Sequence, residues 1–170
     1  MSTILDKEFC DNILRAASAN LARDGELVPV LFLNLEGVGT TIVQLVDFPG
    51  RGDEKRAYLR ALASIVRAQE GEILEALMIF EAWVVGREPS QAEKLLGVAV
   101  RDMPDRAEAV AIFGRSADGS RVTNLLVKIE RDREGEPSMG VAEYPLYNAS
   151  VTEEIGSESL LDAMFEEVEP

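Results

Sequence analysis

Apolar residues recur at three- and four-residue spacing over residues 6–24, where Phe9, Ile13, Ala17 and Leu21 fall on one face of a helix. Asp6 stands where an N-cap side chain accepts a free amide, and Asp24-Gly25 supplies the chemistry of a helix end. The period then changes. Residues 27–35 are nearly continuous in apolar side chains, Glu36-Gly37-Val38-Gly39 reads as a turn, and residues 40–48 return with strand formers, so the two stretches predict a hairpin. After Pro49-Gly50-Arg51-Gly52, helical spacing resumes at Tyr58, Leu62, Ile65, Val66 and Gln69, with Asp53 as the expected cap and Gly71 as the stop. Residues 73–85 are apolar on both faces and rich in β-branched and aromatic types, the composition of a central strand covered on both sides.

Residues 87–106 are the least regular stretch, with Ser90 and Glu93 spaced as a capping box for a short helix. Two strands, about 108–116 and 121–130, flank Asp118-Gly119, a dipeptide suited to the positive φ of a tight hairpin. Residues 131–137 read as a charged loop, 139–147 as an edge strand ending near Pro145, and 157–168 as a helix. The order α-β-β-α-β-β-β-α, with hairpins on either side of a helix, predicts an α+β fold: a mainly antiparallel sheet of about five or six strands with helices packed on it. Residues 1–150 are expected to form a single domain. Residues 151–170 then form an acidic helical tail, docked on that domain or on a partner. In the tail, Leu160, Leu161, Met164, Phe165 and Val168 make one apolar stripe, and they are the candidate partner-binding residues. A helix this short does not persist alone in water, so its own sheet, a second copy or another protein must cover the stripe.

Charge sharpens this division. The chain carries a formal charge of −14, and residues 134–170 hold ten acidic side chains without a Lys or Arg. A field of that sign opposes phosphate binding, so no nucleic-acid partner is expected. Eighteen apolar residues never run together, which argues against a membrane-spanning helix. The first residues lack the basic stretch and apolar core of a secretory leader, and the single cysteine, Cys10, falls in an apolar-periodic stretch. Together these features predict a cytoplasmic protein whose partner is a second copy or a different protein.

The chain contains no histidine. Imidazole bases, Ser-His-Asp and Cys-His nucleophile systems and histidine-ligated metals are therefore outside its repertoire. With one cysteine besides, structural zinc is out of reach of a single copy, and no calcium-loop spacing occurs; neither a metal nor a cofactor is expected. The segment Gly50-Arg51-Gly52-Asp53-Glu54-Lys55 has the position of a phosphate loop, after a strand and before a helix, but lacks its Gly-Lys-Ser/Thr ending. Asp53 and Glu54 would also compete with a phosphate for the helix N-terminus.

Carboxylate chemistry remains. Glu81 sits within Leu77-Met78-Ile79-Phe80-Glu81-Ala82-Trp83-Val84-Val85, and alternation places it on one strand face with Glu75, Leu77, Ile79, Trp83 and Val85. A carboxylate in such a run needs a partner or a cleft. The structural reading pairs Glu81 with Arg106, Arg115 or Arg131. The catalytic reading joins it to Asp102, Asp105 and Glu108 in a carboxylate-dependent, Mg-type hydrolase. Against that stands a non-catalytic binding or accessory module that associates with itself, for which no reaction-competent residue set is needed.

The string Glu81-Ala82-Trp83-Val84-Val85, then Pro89-Ser90, then Pro104-Asp105-Arg106-Ala107-Glu108-Ala109 resembles a pattern in a family of uncharacterised bacterial proteins of this length. The likeness runs from Leu27-Val28-Pro29-Val30-Leu31 to Ile129-Glu130-Arg131-Asp132, with residues 91–103 standing as an insertion. It implies a bacterial, cytoplasmic protein of unknown function, and it brings no site residue with it.

Overall fold

The computed structural model describes residues 3–86, 107–140, 149–151 and 160–166. Its first helix, α1 (Lys7–Asp24), starts where Asp6 accepts a hydrogen bond from the Phe9 amide and stops at Gly25, whose φ of 79° is the left-handed conformation that glycine adopts without strain. The hairpin β1 (Val30–Leu35) and β2 (Gly39–Gln44) follows, then α2 (Gly52–Gln69) and the long strand β3 (Ile73–Gly86). Strands β4 (Ala107–Ser116) and β5 (Val122–Arg131) form the second hairpin. Its turn is held by Asp118, which accepts from the Ser120 amide and from the Ser116 and Ser120 hydroxyls. Two three-residue strands, β6 (Pro137–Met139) and β7 (Ala149–Val151), and a 3-10 helix at Leu160–Met164 complete the described elements.

Among the described residues every strand pairing is antiparallel, and the sheet runs β2-β1-β3-β4-β5-β6, with β7 on β3. The α+β class, the hairpins and the central place of the 73–85 strand are as the sequence predicts. β3 is the hub because its fourteen residues reach both hairpins: β1 lies along its first half, β7 along its end, and β4 along its other side. Strand alternation then separates two cores. On one face Leu77, Ile79, Val110, Ile112, Leu125 and Val127 meet Cys10, Leu14, Ala17 and Leu21 of α1. On the other face Ala76, Met78, Phe80, Ala109, Ala111 and Phe113 meet Leu59, Ala63 and Val66 of α2 together with the 3-10 helix.

Several local expectations are corrected. Residue 51 occupies the α2 N-cap position and makes no side-chain cap bond, so Asp53 is not the cap; it sits in the first turn, where its charge favours the helix dipole, 3.5 Å from the exposed Arg51 guanidinium. The buried stripe of α2 is Leu59, Ala63 and Val66, whereas Ile65 is 54% exposed. The edge strand after β5 is residues 137–139, ahead of the expected span, and residues 141–148 lie outside the described residues, as do the 87–106 segment and Val168. Within the described part of the tail the helix is a 3-10 turn, not an α-helix. No helix among the described residues is long and apolar enough to cross a membrane.

Candidate functional site

Glu81 projects from β3 on the α1 face, where the chain between α1 and β1 passes over the sheet. Its carboxylate accepts the Leu27 amide at 3.2 Å. Burial pushes its proton affinity above the usual glutamate range; the Leu27 hydrogen bond opposes this, the charge of Glu108 adds to it, Arg131 counters and Glu26 adds. The expected pairing with Arg115 or Arg131 is not formed. Arg115 lies on β4 among positions facing α2, the opposite side of the sheet, and its guanidinium reaches Asp162. Arg131 does share the Glu81 face, but it clasps both oxygens of Glu108, at 2.6 and 2.9 Å. Arg106, Asp102 and Asp105 lie outside the described residues.

Among the described residues no group of three or more acidic or thiol side chains is placed to hold a metal ion. Cys10 is buried, and burial, with Asp6 and Asp11 nearby, holds its thiol up at about 11, so it remains protonated at neutral pH. This makes Glu81→Gln a clean probe. In the folded state Glu81 keeps its proton to a higher pH than in the unfolded chain, so stability falls as pH rises through that interval. A glutamine keeps the acceptor for Leu27 and removes the charge. The variant should match the wild type in acid and melt slightly higher at neutral pH, by under about 1 kcal/mol once solvent screening is allowed for. A melting curve series against pH checks it; a destabilised variant at pH 7 would restore an ionic partner for Glu81.

Among the described residues the buried carboxylate is Glu75, not Glu81. It is 7% exposed and collects the Thr3 hydroxyl at 2.5 Å, the Ile4 amide at 3.2 Å, the Asn34 amide group at 3.1 Å and Arg121 at 3.2 Å. The sequence signal for Glu75, an acid in the central strand, is the one that singles out Glu81. Only the fold reveals that its donors come from residues 3, 4, 34 and 121. Glu75 therefore ties the segment before α1 to the sheet and is not presented to a ligand.

The tail residues lie against α2. Leu160, Leu161 and Met164 are at most 1% exposed, and Phe165 packs half-buried beside them. Arginines frame the segment: Arg56 and Arg60 bind Glu166, Arg67 donates to the Met164 carbonyl at 2.6 Å, and Arg115 binds Asp162 while lying 4.9 Å over the Phe165 ring. Arg56, Arg60 and Arg67 share a stripe of α2, which is why one helix serves three contacts. The sequence pattern marks these tail residues as an apolar stripe in need of cover, and this chain's own second core covers Leu160, Leu161 and Met164.

Among the described residues, four of the seven large exposed apolar side chains lie at or beside the free edge of the sheet, the others being Ile65, Trp83 and Val122. Ile42 in β2 is 65% exposed, Val38 and Val46 in the turns before and after the strand are 57% and 62% exposed, and Val28 just before β1 is 47% exposed. Residues 37–46 carry no charge at all. In comparisons with protein-family models, curated proteins and solved structures, nothing matches this chain.

Proposed function

We propose that the chain is a non-catalytic binding or accessory module that associates with itself in the cytoplasm. The observation that carries this reading is the uncharged edge strand β2, with Ile42 exposed in it and Val38 and Val46 exposed in the turns on either side, set in a chain of net charge −14. Exposed aliphatic residues scattered singly need no explanation, but an open strand edge bordered by them is a template for pairing. A single cysteine, Cys10, which cannot form a disulfide within the chain, suits a reducing compartment.

The rival reading, a carboxylate-dependent hydrolase, draws among the described residues on Glu81, because Glu108 is already bound bidentate by Arg131. A lone carboxylate of raised proton affinity is a feature that structural sites share with catalytic ones. Sedimentation equilibrium of the full chain tests the binding-module reading: a dimer whose population grows with concentration is expected. A monomer at every accessible concentration would overturn self-association.

A further inference from the structure

We propose that a second copy of this chain pairs antiparallel with strand β2 about a two-fold axis at Ile42, making one continuous sheet across the dimer. This rests on the self-association reading above and specifies its surface.

Three observations lead to it. First, the backbone is available. The Leu45 amide donates to the Pro29 carbonyl at 2.9 Å, so odd-numbered residues of β2 turn their peptide groups toward β1. In an antiparallel strand the alternate residues turn theirs the other way, leaving the amides and carbonyls of Thr40, Ile42 and Gln44 along the open edge. Second, the exposed side chains are arranged symmetrically. A two-fold at Ile42 sets that residue against its own copy and brings the turns that flank β2, which carry the exposed Val38 and Val46, to the two ends of the pairing. Thr40 meets Gln44 in between. No part of this pairing requires a different sequence on the other side, which is the property of an isologous contact.

Third, charge confines contact between two copies to this strip. Two chains of −14 repel over most of their surfaces, but residues 37–46 let the edges meet without a like charge between them. Glu36 and Asp47 bound the strip at its two ends and disfavour pairings that slide past it. β2 also lacks the usual defences of an edge strand, having neither Pro, Lys nor an inward charge. By contrast, β6 at the far end of the sheet path is three residues long and begins with Pro137. Assembly through β2 consumes the open edge of each copy and ends at a dimer.

The test uses the full chain. Ile42→Pro removes an outward amide at a position where an edge strand tolerates proline, and Ile42→Lys puts like charges on the axis. Each should keep the wild-type circular dichroism and move the dimer midpoint to at least about tenfold higher concentration. Should either variant fail to fold, Ile42→Cys decides: mild oxidation should give a covalent dimer, whereas Val122→Cys, equally exposed elsewhere, should not. A wild-type dimer unaffected by folded edge variants, or an Ile42→Cys protein that does not cross-link, overturns the β2 pairing and leaves self-association standing. A monomeric wild type overturns both. Capture of another protein's strand by a monomeric chain would likewise overturn the second copy as occupant.

Discussion

Deleting residues 160–170 is expected to leave a chain that cannot hold its native sheet. Leu160, Leu161, Ala163 and Met164 are buried to within 1% of completely and pack with Leu59, Ala63, Val66 and the α2 face of the sheet. Truncating one such aliphatic side chain costs about 2–5 kcal/mol, and a domain's whole stability is only about 5–15 kcal/mol. Losing Leu160, Leu161 and Met164 at once removes most of that margin. The deletion also leaves Arg56, Arg60, Arg67 and Arg115 facing an apolar floor without the segment's carboxylates and carbonyl. Circular dichroism and thermal melting of the truncated chain check this, and Leu161→Ala supplies a graded version with a loss of about 3 kcal/mol. Glu166→Gln separates charge from packing: its pair with Arg56 and Arg60 is partly exposed, so its loss should stay below about 1 kcal/mol. A truncated protein with an unchanged melting point would mean that this segment is not part of the core and is free to serve a partner.

What was legible in the sequence was what is decided locally. α1 is read almost to the residue because its cap, Asp6, and its stop, Gly25, both act within one turn. The Asp118-Gly119 hairpin is read for the same reason. α2 is located correctly, and Val66 is buried as predicted with Tyr58 and Leu62 packed beside it, but Ile65 turns outward, and the pattern passes over Leu59 and the small Ala63, which complete the buried face. Alanine carries little weight in a hydropathy pattern, yet it is what lets a helix approach a sheet closely. β7 leaves no periodic signal in three residues, and its pairing with β3 depends on the whole fold.

The candidate site was less legible, because it is made of contacts distant along the chain. Glu81 finds Leu27, and which face of the sheet Arg115 occupies follows from the register of β3 and β4. The open edge is different in kind. Val38, Ile42 and Val46 and the uncharged run around them are plain in the sequence, but they acquire meaning only once β1 is found between β2 and β3. Hairpin order alone does not say which strand lies at the edge.

Glu75→Gln is expected to cost about 2–4 kcal/mol, in contrast to the small gain at Glu81, although both are glutamates on the same face of the same strand. The difference lies in the donors. One Glu75 oxygen receives the Thr3 hydroxyl and Arg121, and the other receives the Ile4 amide and the Asn34 side chain. A carboxylate can accept at both oxygens; a carboxamide must turn an NH₂ group toward one pair of donors. Either orientation sets donor against donor at a site 7% exposed, where water cannot readily relieve it. Arg121 also loses its counter-charge. The damage spreads to α1, because Ile4 and Leu5, 2% and 6% exposed, are held on the sheet by this anchor and by the Thr123 hydroxyl, which donates to the Leu5 carbonyl at 2.8 Å. Denaturant unfolding measures the loss, and a double-mutant cycle with Arg121→Ala should show strong non-additivity, since the two groups share one network. A loss below about 1 kcal/mol, or additivity with Arg121→Ala, would show that the site relaxes around the amide and that Glu75 does not anchor α1.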